Sequence, residues 1–406
     1  MNQRGQGSIC PKSVCGARPM RRFWLLIVFL FFLGACAKEV RLPDGERLFS
    51  HDDLDRASLH QAIQRSLEFL DRLPPDRLVG EWPRPFTARE VKESLLAFRE
   101  HLQRWERPDR LLEAVRANFD FYQSAGEQGD GVVLFTGYYQ PVLEASLTET
   151  PAHRFPIYRR PDDLIEVELG SFMAQLRGEK VVGRVEGKRL VPYFSRHEID
   201  VSGRLKGKGY EIAWVKDPLE LFSLHIQGSG LLRLGDGRLL HLNYAASNGR
   251  RYRSIGRLLI ERGKIPEREI SMQRVRRYIL DHPRERDEIL AQNESYVFFR
   301  FVQDGPLGSL EVPLTPGRSI ATDSRIFPKG ALAFIISQKP VLDARGNLVG
   351  WQPFARFVLN QDTGSAIRGP GRVDLYFGSG PAAGAAAGYV KNKGKIYFLM
   401  KKAKVS

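Results

Sequence analysis

Near residue 131 the chain changes texture, and that change limits what it can fold into. Before it, apolar residues recur at helical spacing. After it come short runs rich in Val, Tyr, Phe and Ile, such as Val132-Val133-Leu134-Phe135 and Tyr210-Glu211-Ile212-Ala213-Trp214, broken by Gly, Pro and the Asp236-Gly237 pair. Runs of this kind bounded by turn formers read as strands, so most of the chain is expected to be β. Tyr296-Val297-Phe298-Phe299, Ala331 to Ile336, Phe357-Val358-Leu359 and Ile396 to Leu399 carry the pattern almost to the C-terminus. Helical spacing interrupts it at Ser254 to Arg262, with Gly263 as C-cap and Pro266 beyond, and at Met272 to Gln292, divided by Pro283. The small-residue patch Pro381 to Gly388 reads as a loop. At 406 residues the chain is long enough for two cores.

The segment before residue 131 carries clear helix start signals. Ser50-His51-Asp52-Asp53 opens a stretch with Leu54, Leu59, Ile63, Leu67 and Leu70 near helical spacing, stopped by Pro74-Pro75. Thr87-Ala88-Arg89-Glu90 is a capping box, and Pro108 sits where a first-turn proline belongs. These helices are expected to pack, not to do chemistry. Ahead of them, Met20-Arg21-Arg22 precedes an apolar run from Phe23 to Leu33, too short to span a bilayer comfortably and so read as the core of a signal peptide. Leu33-Gly34-Ala35-Cys36 resembles the lipobox of bacterial lipoproteins. Residues 1–35 are thus expected to be removed, Cys36 to carry a lipid, and residues 36–48 to form a tether; Met20 is an alternative start. Cys10 and Cys15 fall in the removed segment, which leaves no disulfide, thiolate nucleophile or zinc–cysteine site.

Lys and Arg number 62 against 47 Asp and Glu, a formal charge of +15. The removed segment holds five of these cations and no acid, so the mature chain keeps about +10. An anionic polymer is one expected partner, and a generally basic proteome accounts for the same balance equally well. Nucleic acid is the usual partner of such a balance, but an exported, lipidated protein seldom meets it, and none is expected here.

Three aspartates beside turn formers stand out: Asp323 in Ala321-Thr322-Asp323, Asp362 in Gln361-Asp362-Thr363-Gly364, and Asp374 in Gly371-Arg372-Val373-Asp374-Leu375-Tyr376. Acids at strand ends can face a common cleft, although each alone also fits an Asx-turn or a cap. Asp374 differs by its apolar and aromatic flanks at 373–377, which should desolvate it and raise its pKa. A general acid for a glycosidic oxygen needs such a retained proton. Oxygen ligands could suit a hard cation, but no carboxylate pair has tight loop spacing and His225 and His241 lie far off, so neither metal nor cofactor is expected. Gly137-Tyr138-Tyr139-Gln140-Pro141 and His225-Ile226-Gln227-Gly228-Ser229-Gly230 combine aromatic and amide side chains with glycine, as sugar sites do, and both also fit hairpin turns. Gly228-Ser229-Gly230 lacks the downstream Gly-Lys-Ser/Thr of a phosphate loop.

From about residue 42 to 401 the sequence resembles the membrane-bound lytic murein transglycosylase A family. The shared landmarks are Phe135-Thr136-Gly137-Tyr138-Tyr139, Ser195-Arg196-His197-Glu198-Ile199-Asp200, Ile226 to Gly230, Asn243-Tyr244-Ala245-Ala246-Ser247-Asn248-Gly249, Tyr252-Arg253-Ser254-Ile255-Gly256, and Asp362-Thr363-Gly364 with Asp374. Departures are small: Ser365 stands where a glycine is expected, Arg368 where lysine is common, and Gln140 at a variable position.

The resemblance implies a mainly β protein with helices, of α+β class: a double-psi β-barrel interrupted by a second β-barrel, with a glycan groove between them. Residues 49–140 would hold the helices and the first part of the double-psi barrel, 141–305 the insertion, and 306–402 the three-aspartate module that completes it. It implies cleavage of the β-1,4 bond between N-acetylmuramic acid and N-acetylglucosamine with 1,6-anhydro ends, Asp374 as general acid and base, and Asp362 and Asp323 in support. Tyr138, Gln227, Ser229 and Asn243 are the candidates for lining the groove. Peptidoglycan glycan strands are the implied partner, the chain is read as a monomer, and complexes of wall synthesis or division are candidate associates. Ala37 after Cys36 points to an outer-membrane lipoprotein facing the periplasm. A non-catalytic peptidoglycan-binding lipoprotein and a hydrolytic muramidase using Asp362 as base stay open as alternatives.

Overall fold

A computed structural model describes residues 52–403. The leader, Cys36 and the tether expected at 36–48 lie outside these residues. Helix Arg56–Asp71 begins one turn later than expected, at the N-cap Asp55, whose side chain accepts the Ser58 N–H. Asp52 and Asp53 do not start it, because the barrel recruits them. Asp52 pairs with the fully buried Arg318 and Asp53 with Arg356, and a guanidinium with no access to water requires such a partner. Thr87 and Glu90 form the expected capping box of helix Ala88–His101, and Pro108 opens helix Pro108–Asn118. The apolar stripes of these helices, with Leu59, Ile63, Leu95 and Phe98 all buried, share one core with the neighbouring strands.

Those strands close into a barrel. Leu332–Leu342 pairs on one side with Leu348–Asp362 and on the other with Lys391–Lys401. Ser319–Ala321, Arg372–Ser379 and Val133–Gln140 complete the circuit, and Phe119–Gln123 adds to its outside. Two pairings are parallel, Ser319–Ala321 with Leu348–Asp362 and Val133–Gln140 with Arg372–Ser379, as a double-psi barrel demands. Phe135, Phe334, Val373 and Phe398 are all buried in the core that the barrel shares with the helices.

After Gln140 the chain leaves the barrel. A six-stranded sheet follows in the order Val297–Val302, Leu239–Ser247, Ser229–Leu234, Val142–Ser146, Glu211–Val215, Phe155–Tyr158, with its own core around Leu143, Val215, Leu232 and Phe299. Helix Pro218–Gln227 ends in Gly228, left-handed at φ 75°, and leads straight into a strand, so the 225–230 segment is a helix terminus and not a hairpin. Pro283 divides Met272–Asp281 from Arg286–Ala291, as expected.

The small-residue patch is not a loop. It is helix Gly380–Tyr389, started by Pro381, its alanines supplying the propensity. It lies so close to strand Val133–Gln140 that a Cβ at Gly137 would come within 2.8 Å of the Ala387 Cα, and one at Gly384 within 2.7 Å of the Tyr139 ring. Small side chains are there for backbone approach, which composition alone presents as a turn.

Candidate active site

The short strand Ser319–Ala321 organises the site. Ala321 is in register with Asp362 on one side and Asp374 on the other, so the two acids flank one strand, about 10 Å apart at Cα by ordinary strand spacing. Beyond Asp374, the parallel strand Val133–Gln140 brings Thr136 into register with it, and Lys391 follows opposite Thr136. Two acids, a hydroxyl and an ammonium therefore form one row across five strands, with Ala321 between the acids.

Within that row the polar atoms are unequally satisfied. Asp374 is half-buried, and its Oδ1 is enclosed with no hydrogen-bond partner; the Thr136 hydroxyl is enclosed and unpartnered as well. Burial pushes the Asp374 carboxyl up to about 6, the Arg372 guanidinium works against that rise, and the charge of Asp362 adds to it. Asp362 also sits at about 6, raised by burial and held back by three donors. Its Oδ1 accepts the N–H groups of Ser309 at 2.9 Å and Thr363 at 2.8 Å, and its Oδ2 accepts the Tyr138 hydroxyl at 2.9 Å. The Tyr138 ring tilts against Tyr376 at 5.3 Å. Burial and the Asp362 charge lift the Tyr138 phenol well above its ordinary range, so it stays a donor.

Asp323 has a different environment. It is fully buried and accepts the Arg325 N–H, two bonds from the Arg325 guanidinium and the Gly369 N–H. Burial works to raise this carboxyl, but these donors outweigh it and hold it below the usual range. Its oxygens make no described hydrogen bond to Asp362 or Asp374. The link is indirect: the neighbouring Thr322 donates its N–H to the Asp362 carbonyl, and its own carbonyl accepts the Thr363 hydroxyl. Arg368 lies 3.9 Å from Asp323.

Of the four groove candidates, Tyr138 alone reaches an acid. Gln227 accepts the Tyr139 N–H at 3.0 Å, and Asn243 accepts the Leu307 N–H at 2.9 Å, so both fasten the six-stranded unit to the barrel's entering and returning segments. Ser229 is buried opposite Asn243. Three groups escaped the sequence reading: Thr136, Arg372 and Tyr252. Burial raises the Tyr252 phenol, on which Arg372 and Asp374 both act. All three lie inside segments singled out above, but only the fold reveals which side chains turn toward Asp374.

Comparison with known proteins identifies the family. Residues 134–300 match the MltA specific insert domain and residues 318–400 the 3D domain, the latter spanning all three aspartates. The chain is 34% identical over 302 residues to membrane-bound lytic murein transglycosylase A of Escherichia coli, covering 73% of this chain and 74% of that protein.

It belongs to the membrane-bound lytic murein transglycosylase A family.

The Vibrio cholerae member is 32% identical over 281 residues, 68% of each chain. The crystal structure of a membrane-bound lytic murein transglycosylase from Agrobacterium tumefaciens is similar at TM-score 0.71 and 34% identity, covering 86% of this chain and 93% of that one. E. coli MltA with bound chitohexaose reaches 0.66 at 29%, covering 90% and 94%. These family members are named membrane-bound; among the described residues here, no helix is long and apolar enough to cross a membrane.

Proposed function

We infer that this chain is a peptidoglycan lytic transglycosylase, cutting the β-1,4 bond between N-acetylmuramic acid and N-acetylglucosamine without water and leaving 1,6-anhydromuramic ends. One observation carries the reading: an enclosed, unpartnered Asp374 Oδ1 beside an equally unpartnered Thr136 hydroxyl. An unsatisfied buried polar atom costs about 1–3 kcal/mol, and a bound sugar would relieve both. With its pKa at about 6, Asp374 keeps its proton in roughly one molecule in ten at pH 7.

Asp374 donates that proton to the glycosidic oxygen as the bond to C1 breaks. The resulting carboxylate takes the proton of the muramoyl C6 hydroxyl, whose oxygen closes on C1, so proton and ring closure balance without a second acid. The Thr136 hydroxyl holds the sugar against this exchange. Asp362, whose three donors offset part of the rise that burial imposes, steadies the oxocarbenium-like charge when ionised, and Tyr138 holds Asp362 in position. Asp323 is a positioning residue that braces residues 363–370 through Gly369. Gln227, Ser229 and Asn243 shape the groove by fixing its two walls.

Both Asp362 oxygens are occupied by protein donors, which disfavours its use as a base for water and so disfavours a hydrolase. A binding-only protein would have no use for an unpartnered acid that costs stability. A lipid on Cys36, with Ala37 after it, would hold the catalytic unit at the outer membrane facing the wall. Digestion of sacculi should release anhydro-muropeptides, and Asp374→Asn should abolish this while leaving the fold intact. Reducing-end muramic acid in the mass spectrum would overturn the lytic reading; an active Asp374→Asn variant would overturn the residue assignment.

A further inference from the structure

Beside the acid row opens a cavity of about 740 Å³ that shares Thr136 and Gln227 with the proposed sugar site and runs on past them. Its inner edge is Thr136, Gly137 and Tyr252, the residues next to Asp374. Its far walls are largely aliphatic: Ile226, Ile260, Ile270, Met272 and Val275 contribute partly or fully exposed side chains. That stretch suits methyl groups, while Tyr139, Phe222, Tyr252 and Tyr389, which also line the cavity, offer the aromatic faces that suit a sugar ring. The mouth carries exposed Arg257, Arg276 and Lys391; Arg257 is paired with Glu261 and Arg276 with Asp217, so Lys391 is the cation there without a described ion pair. Of the acids there, Glu261 is already paired with Arg253 and Arg257, while Glu267 adds one negative charge. The adjoining segment from Arg250 to Arg277 carries ten Arg and Lys against three Glu, a dense share of the protein's excess charge.

We propose that this cavity receives the lactyl-peptide substituent of the muramoyl residue being cleaved, its methyl groups on the aliphatic walls and its carboxylates at the cationic mouth. The inference rests on the transglycosylase reading, which brings a muramoyl ring to Asp374; the ring's 3-O-lactyl peptide must then leave the acid row, and this cavity opens directly from it. The stem is short, rich in alanine methyls and anionic, matching both features of the lining. The cavity makes the peptide-bearing strand the preferred substrate over the bare glycan.

The test uses the full chain and two matched ligands, peptide-bearing disaccharide and the same disaccharide stripped by an amidase. Calorimetry should show about tenfold tighter binding of the peptide-bearing form, about 1.4 kcal/mol. Ile260→Trp, which fills the cavity away from the acids, should erase that preference and leave the stripped ligand unchanged; Arg257→Glu should do so partially. Equal affinities in the wild type, or parallel loss of both ligands in Ile260→Trp, would overturn the proposal, the latter assigning the cavity to the glycan itself. Turnover is read separately on peptide-bearing and stripped strands. Retained binding preference without anhydro products would defeat the catalytic reading and uphold the cavity; equal cleavage of both strands with equal binding would do the reverse.

Discussion

Arg318 and Ala321 sit three residues apart, yet the two ends of this short strand are opposite in kind. At Arg318 every nitrogen finds an acceptor: Nε on the Ser58 hydroxyl, Nη1 on Asp52 and the Phe357 carbonyl, Nη2 on the Asp55 carbonyl. Asp52 in turn accepts the N–H groups of Leu54 and Phe357. At Ala321 the flanking acid Asp374 and its neighbour Thr136 each keep a buried polar atom without a partner. Both ends bury charge in one barrel. Complete satisfaction turns buried charge into a fastener; incomplete satisfaction keeps it available to a ligand, at the expense of stability.

Four measurements would break or sharpen this contrast. Asp374→Asn strikes hardest at function: release of anhydro-muropeptides from sacculi should drop by about 10²–10⁴, the share that positioned proton transfer supplies, with unchanged circular dichroism. Arg318→Ala strikes hardest at the fold, since Asp52 would stay buried without its counter-charge; urea unfolding should show a loss of about 3–5 kcal/mol. Turnover per folded molecule should hold, and if it fell further than folding did, the two ends would not be separable.

Asp374→Asn should also stabilise the protein. The carboxyl rises from 3.8 to about 6 on folding, so the folded state holds its proton more tightly than the unfolded chain. Its favourable contribution is therefore complete below pH about 4 and is lost as pH rises through about 6. At pH 8 the variant should be more stable by about 2 kcal/mol, discounted for partial exposure, and at pH 3.5 the difference should vanish. Wild-type turnover should decline over the same window. The smallest effect is expected for Tyr138→Phe, which removes one of three donors to Asp362: kcat should fall about tenfold with KM little changed, near the worth of one charge-assisted hydrogen bond. An unaltered kcat would free Asp362 from the mechanism.

Much of this was legible before folding. The capping box at Thr87, the proline at 108 and the break at Pro283 were readable because each depends on residues within one helical turn. The desolvation of Asp374 could be inferred from Val373 and Leu375, which bury their strand whatever it pairs with. Asp52 and Asp53 looked like helix openers because nothing nearby reveals that Arg318 and Arg356 arrive from the far side of the chain. Pro381 to Gly388 looked like a loop because small residues serve turns and close packing equally well.

The sequence by itself determined most of the helices and strands, the closely resembled family, and an acid with reason to hold a proton, since all three follow from local pattern. Tertiary structure decided which aspartate is spent on neighbours and which is left unspent. Asp323 and Asp374 are alike as residues beside turn formers; Arg325, two residues on, and the Gly369 turn satisfy one, while pairing across strands sets an equally unsatisfied Thr136 beside the other. Hydrogen-bond partners more than two hundred residues away, such as Tyr138 for Asp362, leave no trace in a local window, because register is set by the closed barrel and not by the strand that carries the acid.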